Sequence, residues 1–368
     1  MTAAMEVEGQ REGYDIATGV IDTDIHEQLP SAYDLLPYLP PQWHRYITDF
    51  GWKETMVATG PYVVPTPGGT FRKDAYPANG AKAGSDLGLL RAQLLDHYNI
   101  TVGILNGSFH VSSMKAWFEF ATALASAYND WQIATWLEKD PRLRGSVHLV
   151  AHDPVAAVRE IERVGTHPQI VQVFLPVSSD VQWGDPYFRP IFEAAVRNHL
   201  VVAMHNGPET RPAVGYPRYY IEWHTTMNQA HMCQIVSLIC NGVFDQFPDL
   251  KVVVLEGGFS WLPHLMWRLD QQYREVRSEV PWVKRMPSTY IRDNIRLSTQ
   301  PIEQIEARHF LQLIDMMGSD RLLMYSSDYP HWDFDAPDRA LPAGIPEDLR
   351  RKILFENARE TYDLDLPA

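Results

Sequence analysis

Short runs of apolar, largely β-branched residues recur along the chain, most of them followed by a stretch with helical spacing. The runs are Val20–Asp24, Thr101–Leu105, Gly145–Val150, Ile170–Leu175, Leu200–Met204, Lys251–Leu255, Ile295–Ser298 and Leu322–Tyr325. They are continuous rather than alternating, as expected for strands buried on both faces of a parallel sheet. Helices are predicted over Ser113–Glu138, Pro154–Arg163, Pro186–Asn198, Asn228–Phe244, Ser260–Glu279 and Glu303–Met317. His152-Asp153-Pro154 and Gly184-Asp185-Pro186 each place an acidic cap before a first-turn proline. Eight such units in one chain predict the α/β class and a (β/α)8 TIM barrel rather than an open sheet.

Two stretches depart from a plain barrel. Residues 27–99 separate the first two strands and are rich in proline, and residues 206–227 follow the fifth strand with Pro, Tyr and Trp. Both read as long insertions that cover or line a binding region. Pro346 opens a closing helix. The expected organisation is a loose tail over residues 1–17 and one barrel domain over 18–368.

Composition narrows the function. The 368 residues carry 32 Lys+Arg against 46 Asp+Glu, a formal charge of −14. Such a chain repels phosphate backbones, so nucleic acid is not an expected partner. No apolar run approaches the roughly 20 residues that span a bilayer, and the first residues lack the basic start and apolar stretch of a secretory signal. A cytoplasmic protein with no membrane association is expected. Cys233 and Cys240 are the only cysteines, and they read as reduced, packed thiols. A metal site in this chain therefore has to use histidines and carboxylates.

Chemistry in such a barrel sits where the strands end. The first strand ends in Asp24-Ile25-His26, the fifth in His205-Asn206, the sixth in Glu256-Gly257-Gly258, and the eighth in Ser326-Ser327-Asp328. Asp24 and His26 are two residues apart and leave the same face of their strand. Three carboxylates buried together without a cation would be very costly, so a metal is the simplest compensation.

These strand ends resemble the amidohydrolase superfamily, in particular its amidohydrolase-2 branch of decarboxylases and hydrolases, over most of residues 19–362. That branch has His-x-His on the first strand, His on the fifth and sixth, and Asp on the eighth. His205 and Asp328 match. Asp24 stands in place of the first histidine, and Glu256 in place of the sixth-strand histidine that serves as catalytic acid or base. The insertion adds His224 within Glu222-Trp223-His224-Thr225-Thr226. Asp24, His26, His205, His224, Glu256 and Asp328 are more ligands than one zinc takes. They are enough for two ions with Glu256 as a bridge, and mixed carboxylate–imidazole shells suit iron. The segments EWHTT, VLEGGFSWLPHLMWRLD and SSDYPHWDFD are similar to an amidohydrolase-fold group of nonheme diiron monooxygenases, the diterpenoid hydroxylases of platensimycin and platencin biosynthesis.

The resemblance implies a diiron oxidoreductase in antibiotic biosynthesis. It would hydroxylate an unactivated C–H bond of a bulky apolar, diterpenoid-like substrate with O2, with Glu256 and His224 as catalytic residues. The substrate could arrive as a carrier thioester, electrons would come from an external donor or reductase, and the assembly is expected to be a homo-oligomer. The alternative is a mononuclear zinc- or manganese-dependent hydrolase or decarboxylase of the parent branch, and a third reading is a non-catalytic ligand-binding barrel. His331, Asn206 and Glu222 stand next to the ligands as outer partners, while His44 and His231 read as structural; His148 and His152 lie around the third strand end, with His152 read as a helix-start residue. Trp43, Tyr46, Phe50, Trp52, Tyr62, Phe71, Tyr216, Tyr219 and Tyr220 are candidates to wall an apolar pocket.

Overall fold

The structure, a computed structural model, describes residues 16, 19–51, 70–107, 117–207, 210, 215 and 217–366. Eight parallel strands follow one another around a single sheet in chain order. They are β1 (Val20–Ile25), β2 (Ile100–Leu105), β3 (Leu143–Val147), β4 (Ile170–Pro176), β5 (Val201–His205), β6 (Val252–Val254), β7 (Ile295–Ser298) and β8 (Leu323–Met324). The barrel is closed between β8 and β1 by backbone hydrogen bonds. Thr23 N–H donates to the Tyr325 carbonyl (3.1 Å), Asp328 N–H to Asp24 (3.0 Å) and His26 N–H to Tyr329 (2.7 Å).

Two cores stabilise this ring. A large one lies between the strands and the surrounding helices. A smaller one fills the barrel itself with Ile21, Val102, Ile104, Val171, Phe174, Val201, Ala203, Val253, Leu255 and Met324. Ile21, Val171 and Val201 lie at or next to the starts of their strands, and Phe355, Ala358 and Tyr362 pack against this group. The C-terminal segment thus stoppers the N-terminal mouth and leaves the opposite mouth for the site.

The elements differ from expectation mainly at their ends. β6 and β8 are shorter than predicted because the chain leaves the ladder to turn, and Glu256 and Asp328 take φ of 49° and 59°. The helix expected over Asn228–Phe244 divides into Asn228–Cys240 and Val243–Gln246. Gly242 between them has φ 68°, and a side chain there would meet Trp282 Cδ1 at 2.7 Å. The insertions contain helices of their own, Pro41–Phe50 and Tyr220–Thr226. The closing helix after Pro346 is present as successive turns Glu347–Arg351, Lys352–Glu356 and Asn357–Thr361. Cys233 is exposed rather than packed. No helix among the described residues is long and apolar enough to cross a membrane. The expected loose tail lies outside the described residues except for Ile16.

Candidate metal centre

Three strand ends deliver four buried side chains to one point at the C-terminal mouth. Asp24 lies on β1 and His26 just beyond it, His205 closes β5, and Asp328 follows β8. Each offers one ligand atom, and these atoms all lie within 4.8 Å of one another. His26 Nε2 is 3.2 Å from Asp24 Oδ1 and 3.0 Å from Asp328 Oδ1, and His205 Nε2 is 3.3 Å from Asp24 Oδ2. His26 Nε2, His205 Nε2, Asp24 Oδ2 and Asp328 Oδ2 are buried without a hydrogen-bond partner. Buried polar atoms are seldom left so, and four of them converging fit a divalent cation.

The ring orientations point the same way. His26 Nδ1–H donates to the Gly107 carbonyl at 2.5 Å, and His205 Nδ1–H donates to the Asn206 carbonyl. Committing Nδ1 to a carbonyl leaves each Nε2 facing the cluster, which is how metal-binding histidines are held. Burial alone would raise the Asp24 carboxyl, but the neighbouring His205 and His26 outweigh it and hold Asp24 well below its ordinary value. Burial likewise opposes a charge on His26, yet Asp24 and Asp328 hold its pKa well above the usual 6.5. Without a cation, a proton on His26 therefore does part of the neutralising.

An outer layer fixes the first. Asn106 Nδ2 donates to Asp24 Oδ1 at 2.7 Å. His331 Nδ1 lies 2.7 Å from Asp328 Oδ1, and the Phe71 ring stacks on His331 at 5.0 Å. Gly107, which holds His26, donates its N–H to Glu27 Oε2 at 2.8 Å. Glu27 Oε1 accepts from Tyr128 Oη at 2.9 Å and Gln132 Nε2 at 2.6 Å. Burial pushes Glu27 up to about 7 in spite of these donors. Asn206, expected as an outer partner, orients His205 through its carbonyl and donates Nδ2 to the Glu256 carbonyl.

Glu256 and His224 stand beside this group rather than within it. Glu256 Oε2 is 3.6 Å from His205 Nε2. His224 Nε2 is 3.8 Å from Glu256 Oε1 and 3.2 Å from Asp333 Oδ2. Asp333 also accepts from Gln300 Nε2 at 2.9 Å. Burial and then the charges of Asp328, Asp333 and Asp24 raise the Glu256 pKa well above its ordinary value. Glu256 and Asp328 both hold left-handed φ, a cost of order 1–3 kcal/mol each for non-glycine residues that is typically met at functional sites.

The remaining candidates divide. Glu222 does not reach the site: its Oε2 accepts the N–H groups of Arg218 and Tyr219, each at 2.7 Å, and so caps the short helix carrying His224. His231 is fully buried behind Gly257, and His44 bonds the Leu39 carbonyl, both apart from the four ligand atoms. Tyr220 stacks on His224 at 5.3 Å. Trp43 and Tyr46 pack instead with Trp117 and Phe120, Phe50 packs only on Tyr46 among the described rings and is exposed, and Tyr219 is exposed. Trp52, Tyr62 and Tyr216 lie outside the described residues. Sequence reasoning missed Glu27, Asn106, Gly107 and Asp333. Only Asp333, in the loop after β8, was within reach, through the acidic spacing of Asp328-Tyr329-Pro330-His331-Trp332-Asp333.

A barrel with this mouth is an amidohydrolase-type barrel, and the amidohydrolase-2 (amidohydrolase) sequence profile matches residues 21–364. The chain belongs to that family. It is 26% identical over 289 residues to γ-resorcylate decarboxylase of Polaromonas sp., covering 75% of this chain and 87% of the relative. A dihydroxybenzoic acid decarboxylase from Polaromonas sp., solved with manganese and 2-nitroresorcinol, superposes with TM-score 0.67 at 19% identity over 95% of this chain and 98% of its own. A 5-carboxyvanillate decarboxylase from Novosphingobium aromaticivorans, also solved with manganese, gives 0.68 at 20% over 94% and 96%.

These relatives correct the expectation of a diiron monooxygenase. The three relatives named above are decarboxylases, and the two solved structures among them hold manganese rather than two irons. The oxidoreductase assignment, the O2 co-substrate and the diterpenoid and antibiotic-biosynthesis setting fall with it. The geometry agrees with this: among the described residues four atoms able to ligate one ion converge, from Asp24, His26, His205 and Asp328. Glu256 and His224, also read as ligands from the sequence, lie beside these four atoms rather than among them.

Proposed function

We propose that this protein is a manganese-dependent, non-oxidative decarboxylase of an aromatic acid, with Asp24, His26, His205 and Asp328 holding one divalent ion. The observation that carries the reading is the convergence of four orphaned ligand atoms at the mouth of a barrel whose matched relatives are decarboxylases. Two carboxylates and two imidazoles form a neutral shell around a divalent ion, and oxygen with imidazole donors suits manganese. When bound, the ion supplies positive charge that orients and polarises an acidic substrate.

The rest falls to the chain. In decarboxylation the carboxylate leaves as carbon dioxide, its bonding electron pair stays on carbon, and a proton takes its place. No oxidant, reductant or water is consumed, so the site needs an acid beside the carbon. We assign that role to Glu256, whose carboxyl lies next to the quartet without joining it. Its anionic neighbours favour the protonated form, and a cation would offset part of that repulsion and make the proton easier to give. Asp333 and His224 lead from Glu256 toward solvent at 3.2 and 3.8 Å steps and return a proton after each turnover. Tyr220 and Trp332, whose rings lie 5.3 and 6.1 Å from that of His224, offer flat apolar faces to an aromatic ring.

The test uses manganese-loaded protein with γ-resorcylate, 5-carboxyvanillate and related hydroxybenzoic acids, without oxygen, and measures carbon dioxide. Release that stops on chelation and returns with manganese is the expected result. Protein that binds manganese yet releases no carbon dioxide from any acid of the series would refute the assignment.

A further inference from the structure

We infer that Tyr362, just past the last helical turn, is a positioning residue for Asp24 and acts on it from the opposite end of the barrel through a one-way chain of hydrogen bonds. The inference rests on the reading of Asp24 as a metal ligand, and reaches a residue that no strand-end argument touches.

The chain can be followed atom by atom. Tyr362 Oη–H donates to Gln172 Oε1 at 2.8 Å. Gln172 Nε2 donates to Asn106 Oδ1 at 2.5 Å and to Ser146 Oγ at 2.9 Å. Asn106 Nδ2 donates to Asp24 Oδ1 at 2.7 Å and to the Thr23 carbonyl at 3.1 Å. Ser146 Oγ lies 2.9 Å from Asn106 Oδ1 and 2.8 Å from the Leu105 carbonyl. Gln172, Asn106, Ser146 and Asp24 are all fully buried.

The direction of these bonds is fixed. Both N–H groups of Asn106 face acceptors, and its oxygen faces the Gln172 amide nitrogen. Reversing Asn106 would set N–H against N–H and leave the Asp24 oxygen facing an oxygen. Each link therefore presents its positive end toward Asp24. Hydrogen bonds in series polarise one another, and donors to a carboxylate favour its charged form. The result is an Asp24 whose Oδ1 is pinned, with Oδ2 the orphaned atom turned to the cluster. Burial raises the Tyr362 pKa, and the charge of Asp24 adds to it, so the phenol stays a donor.

Packing alone does not require the hydroxyl. The ring belongs to the small core with Phe355, Ala358, Ile21 and Val102, and phenylalanine would fill the same space. Tyr362→Phe therefore separates positioning from packing. Manganese affinity is read by titration, following the paramagnetic resonance of the free ion, alongside melting of the metal-free protein. Outer partners of metal ligands typically contribute about 10–100-fold in affinity, which is the loss expected for Asn106→Leu. Tyr362→Phe and Gln172→Leu, further along the chain, should weaken binding roughly 3–10-fold, since each bond polarises the next only in part.

A purely structural Tyr362 would lower the melting temperature and leave the affinity where it was. Affinities within about twofold of wild type for Tyr362→Phe would overturn the inference; that variant decides alone should Gln172→Leu not fold. A wild type that binds no manganese would overturn the metal reading and this inference with it. Weakened binding in Tyr362→Phe, in a protein that decarboxylates nothing, would leave the inference standing and remove only the substrate assignment.

Discussion

Gly107 joins the outer layer to the candidate ligand His26, and replacing it with alanine tests that joint. Its N–H donates to Glu27 Oε2 and its carbonyl accepts from His26 Nδ1. Its φ is +66°, and an added Cβ would lie 2.4 Å from Tyr128 Oη, 3.0 Å from Tyr128 Cζ and 3.2 Å from His148 Cε1. The left-handed backbone costs an L side chain roughly 1–2 kcal/mol. Tyr128 cannot swing clear, because it is fully buried with its ring 4.6 Å from His148 and 5.2 Å from Trp131. Either the backbone at 107 moves and loosens His26, or Tyr128 gives up its bond to Glu27. A hydrogen bond to a charged group contributes about 1.5–3 kcal/mol. Together the two effects come to roughly 3–5 kcal/mol. At about 2 °C per kcal/mol for a chain of this size, melting should fall by roughly 6–10 °C. Manganese affinity should fall about 10–100-fold as His26 loses its fixed orientation. Calorimetry of the metal-free protein and a manganese titration check the two numbers separately. A melting temperature within about 2 °C of wild type would show that the close approach is relieved cheaply. Unchanged affinity in a destabilised protein would show that His26 is held without Gly107, and would refute the argument.

Other expectations follow from the same geometry. Asp328→Asn keeps the shape beside His331 but removes one of two anionic ligands; about 3 kcal/mol, or roughly 100-fold in manganese affinity, should be lost, and full metal content by elemental analysis would contradict it. Manganese must displace the proton that Asp24 and Asp328 hold on His26, so affinity should rise with pH and level off above the raised His26 pKa. Below that pKa it should fall about tenfold per unit, and a flat titration between about pH 6 and 8 would contradict the assignment of His26. Asp24, held below its ordinary value, adds nothing in that window. Glu256→Gln should keep manganese while carbon dioxide release drops about 10²–10⁴-fold, and loss of the metal instead would place Glu256 in the coordination shell.

The sequence determined the architecture and half of the site. Continuous apolar runs alternating with helical spacing announce a parallel barrel because strands buried on both faces have no polar side to show. A barrel concentrates chemistry at its strand ends, so Asp24, His26, His205 and Asp328 could be found by where β1, β5 and β8 stop. What the sequence could not do is separate Glu256 and His224 from those four. Glu256 also ends a strand, but its backbone turns to φ 49° and sets the carboxyl 3.6 Å from His205 Nε2, outside the cluster. His224 rides on a short helix inside an insertion, and nothing in local spacing fixes where that helix docks.

Apart from His331 and Asn206, which stand near the strand ends in sequence, the outer layer was decided by the tertiary structure alone. Glu27 meets Gly107 and Tyr128 across 80 and 101 residues, and Tyr362 meets Gln172 across 190. Periodicity reports only which face of an element is buried. A hydrogen bond between two buried polar groups depends on the register of separate strands and helices, which is set when the whole barrel closes.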